Sequence, residues 1–259
     1  MRQREAVEVI TQSLKEDELV KAVFLKGSMG RGEEDEHSDV DLYVLVDEED
    51  KEAFLKNRQR HLESYQPMIF YDDIFIIAPQ IIAVYENLLH VDLFTVTEET
   101  LVHKDFFRVL YDPENLMDKH ELHQNLRLSD KDFLYAVDDV AFFFLQYKKA
   151  ADRGNHLWAV KVAQDIGLNL AKILLQKYAP DRAQLGLKAV PHSLPSTRLQ
   201  EMESVYRCIA LDRHAEAVLQ MAKCMENHLG WLEDCWGQET YTIPFLKRMI
   251  KEIKNRTPA

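Results

Sequence analysis

The spacing of apolar residues changes once along this chain, and that change calls for an α+β fold built in two parts. Between Leu19 and Val96, short runs rich in Val, Ile, Phe and Tyr alternate with turns. Runs of this length bounded by polar clusters read as strands. From Ser129 onward the apolar residues recur at three and four positions, the repeat of helices buried on one face. In the first part the pattern predicts strands at Val20–Leu25 and Val40–Val46, flanked by helices over about residues 2–16 and 50–63. Further strands are expected at 68–71, 74–77, 81–85 and 88–96, with Thr97 capping another helix. In the second part Ser129 caps a helix running to Asp152. Others are expected over 156–178, 198–210, 213–236 and 244–254. Long helices joined by short turns make a bundle. The turn at Asp112-Pro113-Glu114 marks the boundary region. The expected division is therefore 1–125, a mixed β-sheet with flanking helices, and 126–259, an α-helical bundle.

Charge divides along the same line. Residues 1–125 hold 13 Lys and Arg against 28 Asp and Glu, a balance of -15, whereas residues 126–259 stand at +3. A nucleic-acid backbone is held by clustered Lys and Arg, so a body this acidic argues against a nucleic-acid partner. It suits a cationic small molecule or a site that collects metal ions. The longest apolar stretch of the second half, Val140 to Leu145, is too short to cross a bilayer. No secretory apolar region follows Met1. Cys208, Cys224 and Cys235 are odd in number and lack metal-ligand spacing. A cytoplasmic protein with no membrane partner is the expectation.

Three segments carry chemistry. Directly after the first strand comes Lys26-Gly27-Ser28-Met29-Gly30-Arg31-Gly32. Glycines let a backbone approach an anion closely, and amide N–H groups with a serine hydroxyl can hold phosphate oxygens. It is not a Walker loop, and its glycines are in the wrong order for a dinucleotide fingerprint. Next, Asp39 and Asp41 open the second strand. Residues i and i+2 of a strand share a face, so the two carboxylates converge while Val40, Leu42 and Val44 face the other way. Such a pair is costly without a cation, and Mg2+ fits its oxygen chemistry. Finally, Asp92 sits in the apolar run His90-Val91-Asp92-Leu93-Phe94, where a carboxylate from a neighbouring strand would complete a two-metal site. Taken singly, these segments also read as an ordinary loop, a solvated strand edge and a strand-end cap.

Taken together, Gly27-Ser28, ten further residues, Asp39-Val40-Asp41 and the later Asp92 form a pattern that resembles the nucleotidyltransferase superfamily that includes DNA polymerase β. Chain length and a helical second half are similar to the antibiotic nucleotidyltransferases, the lincosamide and aminoglycoside enzymes. The turn at Lys148–Gly154 and the segment Tyr241–Leu246 extend that likeness. One departure is that both later carboxylates are Asp, where some antibiotic enzymes carry Glu. The resemblance implies transfer of a nucleoside monophosphate, AMP first, from an NTP to a hydroxyl of a small molecule, with release of pyrophosphate. Asp39, Asp41 and Asp92 would be catalytic and would hold two Mg2+ ions, with Asp92 available as general base. Gly27, Ser28 and Arg31 would bind the nucleotide, ATP being the expected one. The helical half, with His156, Trp158 and Lys161 at the start of a helix, would hold the acceptor. Phe142-Phe143-Phe144 reads as core or as the interface of a homodimer. The alternatives are a catalytically silent NTP-binding sensor or antitoxin-like module, and an enzyme that nucleotidylates a protein side chain.

Overall fold

The computed structural model describes residues 1–76, 78–101, 105–236 and 241–256. It divides into two compact units, Met1–Asn125 and Leu126–Ala259.

The first unit is built on a six-stranded mixed sheet: β1 (Val20–Leu25), β2 (Val40–Val46), β3 (Met68–Phe75), β4 (Pro79–Tyr85), β5 (His90–Val96) and β6 (Arg108–Tyr111). Their order across the sheet is β3-β4-β5-β2-β1-β6. Strands β3, β4 and β5 form an antiparallel meander, whereas β5 runs parallel to β2. Alternation along the strands separates two faces. Val40, Leu42, Val44, Val91 and Leu93 are fully buried in a core shared with Ala6, Ile10 and Leu14 of α1 (Arg2–Lys15) and with Phe54 and Leu62. Phe54 and Leu62 belong to two short helices, α3 (Lys51–Asn57) and α4 (Gln59–Glu63). The opposite face carries Asp39, Asp41 and Asp92, backed by stacked Tyr43 and Phe94 rings 4.4 Å apart.

Several local expectations are revised. Residues 27–31, read as a glycine loop, form a one-turn helix, α2 (Gly27–Arg31), closed by Gly32 in the left-handed region at φ 71°. The helix expected over 50–63 breaks at Arg58, whose buried guanidinium donates to Thr95 Oγ1 at 3.2 Å and Asp73 Oδ1 at 2.6 Å. The two strands expected between 68 and 77 are one strand. Pairing with β4 carries it through Asp72 and Asp73, and Ile77 lies outside the described residues. Thr97 does not cap a helix among the described residues. Its amide donates to Thr100 Oγ1 at 2.9 Å and its carbonyl accepts from Leu101 at 2.9 Å, which makes a single turn. Strand β6 escaped the pattern because its four residues are too few to show an alternation.

The second unit is helical: α5 (Asp130–Asp152), α6 (His156–Tyr178), α7 (Val190–Ser193), α8 (Ser196–Arg207), α9 (His214–Trp236) and α10 (Thr242–Lys254). A 3-10 segment covers Pro180–Ala189, between α6 and α7. Ser129 caps α5 by accepting from the Asp132 amide at 3.1 Å. Asn155 does the same for α6 through Trp158 at 3.1 Å. No helix among the described residues is long and apolar enough to cross a membrane.

Both units hold buried histidines. His61 lies between Ser13 Oγ, 2.9 Å from Nδ1, and Asp17 Oδ2, 3.1 Å from Nε2, tying α4 to α1. His214 bridges Tyr147 and His156, at 2.7 and 2.9 Å, and His228 pairs with Tyr178 at 3.1 Å. Burial lowers the pKa of all three below the ordinary 6.5. An unfolded chain then binds protons that the folded chain refuses, so stability falls as pH drops. Thermal melts taken from pH 7.5 downward should hold level until about 6.5 and decline below it, toward the depressed folded values.

Candidate active site

The site follows from the parallel register of β2 and β5. Cα pairs run Val40 to Val91, Asp41 to Asp92 and Leu42 to Leu93. The apolar pairs point into the core, so the two aspartates emerge side by side on the opposite face. Asp92 is 8% exposed. Its Oδ1 accepts from Gln80 Nε2 at 2.8 Å and lies 3.0 Å from His90 Nε2. His90 Nδ1 stands 4.0 Å from Asp39 Oδ2. The hydrogen bond to Asp92 raises the His90 pKa, with Asp39 and Asp41 adding to it against the opposing effect of burial.

The loop leading into Asp39 is held from a distance. Gln3, on α1 and 1% exposed, donates through Nε2 to the carbonyls of Asp35, Glu36 and Ser38 at 3.2, 3.0 and 3.0 Å. Part of the acidic run Glu33–Glu36 is thereby a structural brace, and Glu34 also pairs with Arg4 at 3.2 Å.

Asp41 leans toward α2. A Cβ on Gly27 would stand 1.9 Å from Asp41 Oδ2, and Gly27 has φ +60°. Glycine therefore meets two demands here, a left-handed backbone and the space that the carboxylate fills. The first amides of α2 have no partner within their own helix. They belong to Gly27, Ser28 and Met29, beside the Asp41 carboxylate. Lys26, immediately before them, is buried with its ammonium 5.2 Å from the Tyr43 ring centre. Burial lowers its pKa, and the charges of Asp105 and Asp41 partly restore it. Arg31, at the far end of α2, is engaged by Asp105 at 2.9 Å and Glu33 at 2.9 Å.

Asp39, Asp41 and Asp92 thus gather on one face with Gly27 against Asp41, and Arg31 is engaged by Asp105 and Glu33. Their carboxylate oxygens are hard donors of the kind a divalent cation takes. The Gly27 cradle leaves room for the Asp41 oxygen, so the residues present fit such an ion. Three neighbours went unassigned in the sequence. His90 had a signal, since it stands two residues before Asp92 and so shares its face. Lys26 had only its place beside Gly27. Gln80 had none, because only the β4–β5 register brings it to Asp92.

In the helical unit, Trp158 is neither core nor packed between helices. It is 51% exposed, with the Lys161 ammonium 5.2 Å from its ring centre. Gly27→Ala is expected to displace Asp41 and strain the backbone, lowering unfolding free energy by about 1–3 kcal/mol. It should also weaken divalent-cation binding by roughly tenfold or more, by analogy with the cost of small misplacements at a site. Denaturant melts and calorimetric cation titrations check the two effects separately.

Residues 8–78 match the family described as Polymerase beta, Nucleotidyltransferase, a span that includes β1, α2 and β2. No curated protein matches the chain. Among solved structures, an aminoglycoside 6-adenyltransferase from Bacillus subtilis aligns over 99% of both chains at 14% identity and a TM-score of 0.40. A nucleotidyltransferase-like protein from Exiguobacterium sibiricum aligns over 98% of this chain and 89% of its own, at 10% identity and 0.40. A spectinomycin adenyltransferase from Enterococcus faecialis, with ATP and spectinomycin, aligns over 98% of both chains at 10% identity and 0.32. The motif of residues 27–41 lies inside the matched span, so this segment is similar to the polymerase β nucleotidyltransferase domain, and its carboxylates stand on one sheet face.

Proposed function

We propose that the protein transfers a nucleoside monophosphate from an NTP to a hydroxyl of a small molecule, releasing pyrophosphate. The observation that carries this reading is the pairing of Asp41 with Asp92 beside the Gly27-Ser28 turn. A turn able to hold phosphate beside carboxylates able to hold a cation supports the reading.

Asp39 and Asp41 would hold Mg2+, and Asp92 would share a second divalent ion. Such ions supply positive charge to triphosphate oxygens and to the attacking oxygen. The remaining work belongs to the chain. Gly27 and Ser28 amides, with the Ser28 hydroxyl, donate to the β- and γ-phosphates. Asp92 takes the acceptor proton as the new O–P bond forms and the bond to pyrophosphate breaks. Gln80 and His90 both meet Asp92 at Oδ1, which would leave Oδ2 to take the acceptor proton. Arg31 adds charge for the departing pyrophosphate only by exchanging Asp105 and Glu33 for phosphate oxygens. Lys26 is better placed by sequence position, directly before the phosphate turn.

The acceptor is read from charge. A balance of -15 over residues 1–125 favours a cationic or neutral small molecule, such as an antibiotic bearing hydroxyls, over a nucleic acid. ATP is the first donor to test. Tyr135 and Phe142 are exposed seven residues apart on one side of α5, and they support a homodimer. The cysteines are all free, in keeping with the reducing cytoplasm.

Asp39→Asn and Asp41→Asn are each expected to reduce NTP-dependent labelling of an acceptor on the order of 10²–10³-fold, the usual cost of losing one charge-stabilising group. Circular dichroism should be unchanged. Ser28→Ala should raise the KM for NTP more than it lowers kcat. The assay is a screen of hydroxylated small molecules with ATP, GTP, CTP and UTP, read by mass increment and pyrophosphate release. Full activity in both Asp variants overturns the assignment. Tight NTP binding with no product in any arm favours a sensor.

A further inference from the structure

We propose that His90 is a metal ligand, and that the second ion position, formed by Asp39, His90 and Asp92, selects Mn2+ over Mg2+. The proposal rests on the nucleotidyltransferase reading for its purpose, and on this cluster's geometry for its chemistry.

One donor atom from each of Asp39, His90 and Asp92 lies within 4.8 Å of the others, the single such trio found among the described residues. Two donors on neighbouring corners of an octahedron with bonds of about 2.1 Å stand about 3 Å apart. The His90 Nε2 to Asp92 Oδ1 separation is 3.0 Å. Asp39 comes from the loop braced by Gln3, so the third donor enters from a separate segment. Asp41 is not part of the trio, because its carboxylate is drawn to Gly27.

Gln80 supplies the outer support. It is 5% exposed and donates to Asp92 Oδ1, fixing the carboxylate that His90 adjoins. Hydrogen bonds of this kind orient metal ligands and raise affinity. The donor set of two carboxylates and one imidazole then decides the ion. Mg2+ demands oxygen and keeps its waters, while imidazole suits later first-row ions. Mn2+ shares the carboxylate and octahedral preferences of Mg2+, and as the softer, first-row ion it takes an imidazole nitrogen more readily than Mg2+ does.

The test uses the full chain with metal alone, before any nucleotide is added. Pulsed EPR of bound Mn2+ should show the modulation of one directly coordinated 14N, absent in His90→Ala. Calorimetry should give at least tenfold tighter Mn2+ than Mg2+ binding in the wild type. In His90→Asp, which returns an oxygen donor without nitrogen, that preference should shrink several-fold while the 14N signal stays absent. Gln80→Ala should keep the 14N signal and weaken Mn2+ binding roughly 10–100-fold. Circular dichroism of each variant checks folding. Bound Mn2+ without 14N coupling in the wild type, or coupling that survives His90→Ala, overturns the proposal. If that happens while Asp39→Asn still abolishes transfer, the enzyme reading stands without it. Coupling that is lost on His90→Ala upholds the metal site even if no acceptor is ever labelled.

Discussion

A carboxylate can lie against the first residue of a helix only when that residue has no side chain to occupy the space. The Asp41 carboxylate takes the volume that a Cβ on Gly27 would fill, and Gly27 adopts the left-handed conformation needed to start α2 there. Everything chemical in the first unit is arranged around that approach. On one side of Asp41 stands the turn with its amides and Ser28. On the other side, through the parallel pairing of β2 with β5, stands Asp92. Two like charges stand on adjacent strands of one face, and hydrogen bonds from elsewhere in the unit support them. Gln80 donates to one carboxylate and Gln3 braces the loop that presents the next.

The sheet does two jobs with its two faces. Val40, Leu42, Val44, Val91 and Leu93 are fully buried against the core shared with α1, and this burial pins the register. A slip of one residue in either strand would turn that strand's aspartate into the core and its apolar set out of it. The register that positions the site is thus enforced by apolar packing on the far side of the sheet. Tyr43 and Phe94 stack behind the carboxylates, giving the polar patch a rigid, apolar neighbour. Burial pushes the Tyr43 phenol pKa upward, so the ring stays neutral beside the aspartates.

The helical unit follows different rules. Its core is a continuous apolar cluster to which α5, α6, α8, α9 and α10 all contribute, and its buried polar side chains include Asn169, His214, His228 and Thr242. Cys224 illustrates the difference between proximity and chemistry. Its sulfur is 3.9 Å from His228 Nδ1, but that nitrogen is 2.7 Å from the Cys224 carbonyl, and burial drives the thiol pKa up to about 12. The thiol is therefore inert, and the pair belongs to packing.

Much of this protein is legible in its sequence because the signals are local. Strands β1 and β2 declare themselves by composition. The helices α5 and α6 declare themselves by apolar repeat, and α5 also by Ser129 as its cap. The facing of Asp39 and Asp41 follows from the two-residue period of a strand, which no tertiary contact can change. That period also carries His90 to the face of Asp92. What the sequence cannot contain is which strands lie side by side. Parallel pairing of β2 with β5, separated by some fifty residues, is decided by how the apolar faces close over one core. Only that closure makes Asp92 a neighbour of Asp41 and Gln80 a partner of Asp92. It also leaves Arg31 bound to Asp105, a residue far along the chain that no spacing rule links to it. Residue types and their alternation were determined locally by the chain; the meeting of the site's members was decided by burial, which acts between segments and leaves no periodic trace.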